Sequence, residues 1–518
     1  MQRFSGWTRR DLLQHAALSL PALAGWRHLA FATGPPEPAP PAAGPPRDPL
    51  EVIVVGAGLA GLAAAFELVA LGHVVTVLEA RLRPGGRVHT LREPFAEGLY
   101  AEAGAMAFTD GYRHLVRYLK TFDLVAEALT GGAPTGGALN VVYHLRGKRL
   151  TAKQGSAPDI ATWPFNLTAE EQGLGVKGMF RKFFGVVAKI GDPTDPNWRL
   201  DPFKSYDAIT TAELLRRQGA SGEAVALLGD SLWFGYGWSS GSALHRLLSD
   251  LALFYLGQTT MVIRGGSDLL PKAFAASLGN RIRYGSPVVG ILQQPGRVRA
   301  VFQPGGAGAE QTLDADCLLC TVPSPALRKV RFGPELGASK RRIIARLEYT
   351  PVTRIYLQAK RRSWRDAGDA GDAFTDLPIG QVAEQPLVRP AGQGPRGILE
   401  CHIRGPEAER IAAMERAAQI GFALQGLENV HPGFKREFEI GTSVAWGADP
   451  WAGGGYAWWQ PGQLTEWVPE LAAPEGRVHF AGEHTSLLGR TMEGALESGN
   501  RAAREIHELA RRSRRPAG

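Results

Sequence analysis

Three glycines and one acid at fixed intervals carry the first chemistry in the chain. Gly56, Gly58 and Gly61 follow the β-branched run Glu51-Val52-Ile53-Val54-Val55, and Glu79 closes a second such run, Val74 to Leu78. Glycine permits the tight turn at Gly56, the close approach of backbone to a pyrophosphate at Gly58, and tight helix packing at Gly61. Apolar residues at three-and-four spacing predict a helix from Leu62 to Leu71, whose N-terminus would offer unpaired N–H groups to phosphate. Glu79 lies 23 positions beyond Gly56. Roughly twenty is usual for the acid that accepts hydrogen bonds from an adenosine ribose and repels a 2′-phosphate. Strand, glycine turn, helix, strand and acid define a dinucleotide site, without deciding between FAD and NAD.

The segments beyond this site carry a resemblance. Arg81-Leu82-Arg83-Pro84-Gly85-Gly86-Arg87-Val88 continues directly from Glu79, an extension that an ordinary NAD-binding domain does not need. Far downstream come Gly476 to Ser486 and Met492 to Gly499, a short strand and loop followed by a glycine-bearing helix. Both stretches resemble those of the flavin-containing amine oxidases, as does Met261 to Gly266, and the likeness spans about residues 51 to 508. It implies FAD. Arg81, Gly86 and Arg87 would serve the phosphates and the approach to the flavin, and the Val288 backbone the adenine. Gly104, Ala105 and Met106 would also contact the cofactor, with Trp446 beside its ring. Gly482 and Glu483 would meet the ribityl chain, and Thr491 and Met492 would bring a helix N-terminus to the flavin, where charge develops on reduction. Gly455 stands where some relatives carry a flavin-linking cysteine, so the FAD is expected to be non-covalent.

The same resemblance implies the reaction. A neutral amine gives a hydride from its α-carbon to flavin N5, water hydrolyses the imine, and oxygen reoxidises the flavin to yield hydrogen peroxide. No catalytic triad is required. Lys329, by its distance from Val322-Pro323, matches the family lysine that holds a water beside the flavin and is the expected catalytic residue. Tyr456 and Trp458 follow three glycines and resemble the aromatic wall of the substrate cage, while Thr491 stands where a second cage aromatic often lies. L-amino-acid oxidases resemble Ala103 to Phe108 closely, but carry a carboxylate-clamping arginine where this chain has Ala107. Without it a substrate carboxylate loses a contact of about 1.5–3 kcal/mol. Either the substrate is an amine without that carboxylate, or the clamp has moved, with Arg490 as the candidate. The expected substrate is a primary amine or L-amino acid. A polyamine or secondary-amine oxidase is the alternative, and a flavin-binding redox protein without turnover the alternative of another class.

The elements that must position these residues predict an α/β fold. A discontinuous, doubly wound (Rossmann-like) FAD domain would take 50–107, 258–322 and 445–510, and a mixed α+β substrate domain 108–257 and 323–444. The catalytic cleft would lie between them. In front, Thr8-Arg9-Arg10-Asp11-Leu12-Leu13 resembles the twin-arginine export motif, with apolar residues Ala16 to Trp26 and a small-residue site at Ala30-Phe31-Ala32. Residues 1–32 thus read as an export signal to the periplasm or beyond, 33–49 as a Pro-rich linker and 511–518 as a basic tail. That apolar run is too short for a membrane core, which takes about 20 residues.

Across 518 residues, 44% hydrophobic and 21% charged content allows a sizeable core. Part of the net charge of +8 sits in the tail arginines, and no basic stripe interleaved with aromatics points to nucleic acid. Cys317 and Cys320 lie three apart in an apolar strand, so they face opposite ways and share neither a metal nor a disulfide. No metal site is expected. The partners are the small amine or amino acid, molecular oxygen and, by resemblance, a second copy in a homodimer.

Overall fold

The β-branched run Glu51–Val55 is the central strand of a five-stranded, wholly parallel sheet. Its order is Ile282–Arg283, Val74–Leu78, Glu51–Val55, Cys317–Cys320, Val478–Phe480. These strands are apolar on both faces because helices and a second sheet cover both sides. Cys317 joins one core and Cys320 the other, and both are free thiols. The computed structural model describes residues 49–129, 139–154, 156, 158–186, 196–231, 237–248, 259–385 and 394–512. The export signal, nearly all of the linker and most of the basic tail lie outside these residues.

Chain direction fixes where a ligand can sit. The first strand is flanked by Val74–Leu78 on one side and Cys317–Cys320 on the other, so connections leave in opposite directions and open a crevice at the strand ends. Helix Leu59–Ala70 starts within the glycine motif, earlier than its apolar periodicity suggests, because Gly58 forms the cap. It packs on the long helix Met492–Arg512 so closely that a Cβ at Gly499 would meet the Ala60 carbonyl oxygen at 2.3 Å.

One boundary differs from expectation. Residues 108–122, assigned from sequence to the substrate portion, pack in the core of the parallel sheet through Phe108, Tyr112, Leu115, Tyr118 and Leu119. Helix Arg113–Thr121 explains this, since Leu115, Tyr118 and Leu119 turn inward, Lys120 turns outward and Arg117 pairs with buried Glu67 at 2.6 Å. Glu493 accepts from the His114 and Leu115 amides at 2.9 Å each, pinning that helix N-terminus to the C-terminal helix.

A seven-stranded mixed sheet forms the other wall. Its order is Phe438–Ala445, Val352–Ala359, Gly397–Arg404, Gln381–Gln385, Asp369–Thr375, Asn140–Leu145, Lys148–Lys153. Val352–Ala359 pairs antiparallel with Gly397–Arg404, placing Arg354 opposite His402 and Tyr356 opposite Glu400. Alternation sorts these strands into two faces. Ile355, Leu357, Leu399, Cys401 and Ile403 pack against helices Pro406–Ala412 and Arg416–Val430. Arg354, Tyr356, Gln358, Glu400 and His402 occupy the other face and are equally buried. Beneath it, residues 160–186, 196–231 and 237–248 contribute a mainly helical layer with its own apolar core. No helix among the described residues is long and apolar enough to cross a membrane.

Candidate active site

A cavity of about 390 Å³ runs from the ends of the parallel strands to the polar face of the seven-stranded sheet. At the first end the backbone forms the walls. Gly56 has φ +103°, and a Cβ there would sit 2.6 Å from Thr321 Oγ1. A Cβ at Gly61 would lie 2.0 Å from the Gly56 carbonyl oxygen, so this glycine lets the helix close on the strand rather than lining the cavity. Glu79 accepts the Ala57 amide at 2.6 Å and the Arg81 amide at 2.8 Å. Burial pushes its carboxyl above the usual range, opposed by those two amides and by Arg81. Hydroxyl donors from a ribose suit an acid so placed.

In the middle, two distant segments interlock. A Cβ at Gly104 would fall 1.7 Å from the Arg87 carbonyl oxygen, so only glycine fits. Trp446 Nε1 donates to the Ala103 carbonyl at 2.6 Å, which sets the indole against this loop. Arg81 donates to Asp449 at 2.6 Å and lies over the Trp446 ring. Arg87 donates to the Gly455 carbonyl at 2.8 Å and to Glu483 at 3.1 Å. Glu483 also accepts the Ala457 and Arg490 amides. Burial works against its charge, but Arg87, His484 and those amides outweigh it and hold the carboxyl below its usual range. Thr491 caps the C-terminal helix, its hydroxyl accepting from the Gly494 amide at 3.0 Å. The start of that helix, Met492, meets the cavity.

The far end is lined by side chains: Tyr456, Arg490, Arg354 and His402. Arg490 takes a left-handed φ of +67°, rare for a residue with a side chain, and its guanidinium lies 4.3 Å from the Tyr456 ring centroid. Burial would raise the Tyr456 phenol, yet Arg490 and Arg404 bring it below its ordinary value. Burial, then Arg404 and Arg354, keeps His402 far below its usual range and neutral.

The cavity thus gathers Gly56, Gly58, Glu79, Arg81, Gly86, Arg87, Gly104, Ala105, Met106, Ala107, Val288, Trp446, Tyr456, Gly482, Glu483, Arg490, Thr491 and Met492. Besides Gly61, two expected residues stand elsewhere. Lys329 is exposed on the turn after helix Ser324–Leu327. Ala326 and Val330 face the cavity across that turn, which directs Lys329 outward. Trp458 lies outside the lining and packs against the backbone of Gly237 and Gly241, where a Cβ would come within 2.7 and 3.1 Å of its Nε1. Arg354 and His402 were missed from sequence. Their signal was a charge or polar group at every second position of strands that are apolar on the alternate positions.

A glycine-walled cleft at parallel strand ends, continued into a buried cationic pocket, is the arrangement of a dinucleotide-dependent enzyme acting on a small polar substrate. The chain matches the flavin containing amine oxidoreductase family over residues 59–507 and belongs to it. It is a flavin-dependent amine oxidoreductase. A Bacillus subtilis (strain 168) protein, YobN, assigned as an L-amino-acid oxidase, is 32% identical over 89% of this chain and 95% of its own length. The L-amino-acid oxidase of Siganus canaliculatus is 29% identical over 88% and 85%, and that of Demansia vestigiata 27% over 90% and 89%. Among solved structures, putrescine oxidase bound to putrescine superposes with a TM-score of 0.73 at 21% identity, covering 89% of this chain and 99% of that one. Cyclohexylamine oxidase from Brevibacterium oxydans gives 0.72 at 22%, covering 90% and 100%. Both establish the fold.

Proposed function

We propose that the chain is an FAD-dependent L-amino-acid oxidase that releases the imine, then the keto acid and ammonia, together with hydrogen peroxide. The observation that carries this is the cationic far end of the cavity, where Arg490 stands over Tyr456. Curated relatives named as L-amino-acid oxidases support it across most of the chain. Bound FAD would supply a two-electron acceptor for the α-carbon hydride and a route for those electrons to oxygen.

The residues present fit that cofactor. Gly56 and Gly58 would cradle the pyrophosphate without side chains, and Glu79, which accepts the Ala57 and Arg81 amides, would take the ribose hydroxyls. Glu483 would receive the ribityl hydroxyls, and the helix N-terminus capped by Thr491 would favour the negative charge that the bound flavin gains on reduction. Gly455 offers no linking nucleophile, which supports non-covalent binding. On the substrate, Arg490 holds the α-carboxylate in place of the side chain that Ala107 lacks. Trp446, Val352 and Ala452 exclude water around the reacting carbon. Residues 1–32 support export by the twin-arginine route, which a reporter fused to that segment would test.

A second reading has one observation behind it. Ala107 lines the cavity without charge, which favours a primary amine lacking the carboxylate. A peroxide-coupled assay of L-amino acids against their decarboxylated amines separates the two. Peroxide from amino acids supports the oxidase assigned here, and peroxide from amines alone rejects it.

A further inference from the structure

We infer that Met106 is a site of oxidative modification, at which hydrogen peroxide formed in the cavity converts the thioether to the sulfoxide and slows further turnover. This rests on the oxidase reading above. Among the described residues two methionines line the cavity, Met106 and Met492. Met492 is 4% exposed and packs into the core of the parallel sheet. Met106 is only half-buried and belongs to the cavity-lining run Gly104 to Ala107. Nε2 of Gln385, a residue 1% exposed, donates to its Sδ at 3.9 Å. The same nitrogen donates to Glu400 Oε2 at 2.8 Å, which anchors the amide with its donor end toward the sulfur.

A thioether is soft and polarisable, and its oxidation follows its access to the oxidant. A sulfur lone pair takes one peroxide oxygen, the O–O bond breaks, and the second oxygen leaves as water with both peroxide protons. Sulfur is oxidised by two electrons and peroxide is reduced by two. The apolar tip thereby becomes polar, with an oxygen that accepts hydrogen bonds. In a dry wall a new oxygen without a donor is costly, but at Met106 the Gln385 amide is already in place. The backbone cannot retreat to make room. The Ser267 hydroxyl donates to the Met106 carbonyl at 3.4 Å, and a Cβ at Gly104 would lie 1.7 Å from the Arg87 carbonyl oxygen. The added oxygen therefore takes up cavity space beside Ala107. Peroxide arises where turnover occurs, so this sulfur meets it before it disperses into solvent. Turnover then limits itself, and reduction of the sulfoxide restores it.

The test follows the flavin-loaded full chain while it oxidises an L-amino acid in the presence of catalase, which is too large to enter the cavity. Peptide mass spectrometry should show one added oxygen on Met106 at a rate on the order of tenfold above Met261 and Met414, which are half-buried outside the cavity lining. Activity should fall in step, and return on treatment with methionine sulfoxide reductase. Met106→Leu nearly conserves volume and has no sulfur to oxidise. Relative to its own starting rate, its activity should persist about threefold longer or more. Where that variant fails to load flavin, the wild-type mass measurement and the reductase treatment decide. Excess hydrogen peroxide added without substrate should also oxidise Met106 and perturb the bound flavin spectrum, a readout that needs no turnover. Met106 left as the thioether while oxygen is consumed, or oxidised no faster than Met414 under catalase, overturns the inference and leaves the oxidase reading intact. An absence of peroxide from amino acids and amines alike overturns both.

Discussion

The parallel sheet and the seven-stranded sheet meet the same cavity in opposite ways. The parallel sheet presents strand ends, where Gly56, Glu79, Thr321 and Gly482 wall the cavity with backbone and one acid. The seven-stranded sheet presents a face, from which Arg354 and His402 reach inward as side chains. Backbone walls tolerate almost no substitution, because a Cβ at Gly104 collides with the Arg87 carbonyl oxygen and one at Gly56 with Thr321 Oγ1. A sheet face can exchange every second residue without moving the strand, provided charge stays balanced. The glycine-walled end of the cavity can therefore be kept while the sheet-face end is rewritten.

That division can be broken experimentally. The largest effect is expected for Gly104→Val, whose branched side chain has no room 1.7 Å from the Arg87 carbonyl. It should destabilise the protein by about 3 kcal/mol and abolish flavin retention, measured by thermal melting and absorbance after gel filtration. Next comes Arg490→Met, which should lower kcat/KM for amino acids by about ten- to a hundredfold with flavin content unchanged. Loss of flavin instead would show that the two sheets do not divide the work. Glu79→Ala should do the reverse, weakening FAD by about tenfold while the reloaded enzyme keeps its KM.

A smaller effect lies at the join. Glu102 accepts from Thr90 Oγ1 and the Ser267 amide, and burial above all raises its carboxyl to about 7. The folded state thus prefers the protonated form, so its contribution is complete below the unfolded value and is lost as pH rises through about 7. Between pH 5 and pH 8 the wild type should lose about 2–3 kcal/mol relative to Glu102→Gln in denaturant titrations. Parallel pH profiles for the two proteins would remove Glu102 from this role. Smallest of all is Lys329→Met, expected to leave flavin reoxidation within about twofold of wild type because Lys329 points to solvent. A slower oxygen reaction would mean that Lys329 turns inward when the cofactor is bound.

How far the sequence could be read follows the same division. Glycine turns demand one residue type at fixed spacing, so Gly56, Gly58 and Glu79 were legible as neighbours in one cavity and Gly61 as a packing contact. So were Arg87 and Glu483, because each continues a glycine-bearing stretch. The sheet-face end of the cavity was not. Arg354 and His402 lie on two strands about fifty residues apart in sequence, and only pairing brings them opposite each other. Lys329 and Trp458 were misplaced for a related reason, since a spacing along the chain does not say which way a turn or strand end rotates. Helix Arg113–Thr121 was assigned to the wrong portion because its partner, Glu493, lies almost four hundred residues downstream.

The most direct test is an anaerobic titration of the flavin-loaded protein, watching the flavin absorbance while L-amino acids and their decarboxylated amines are added in turn. Bleaching by amino acids, at concentrations where the matched amines leave the flavin oxidised, is the result expected if Arg490 and its neighbours hold a carboxylate. Equal or faster bleaching by the amines would contradict it.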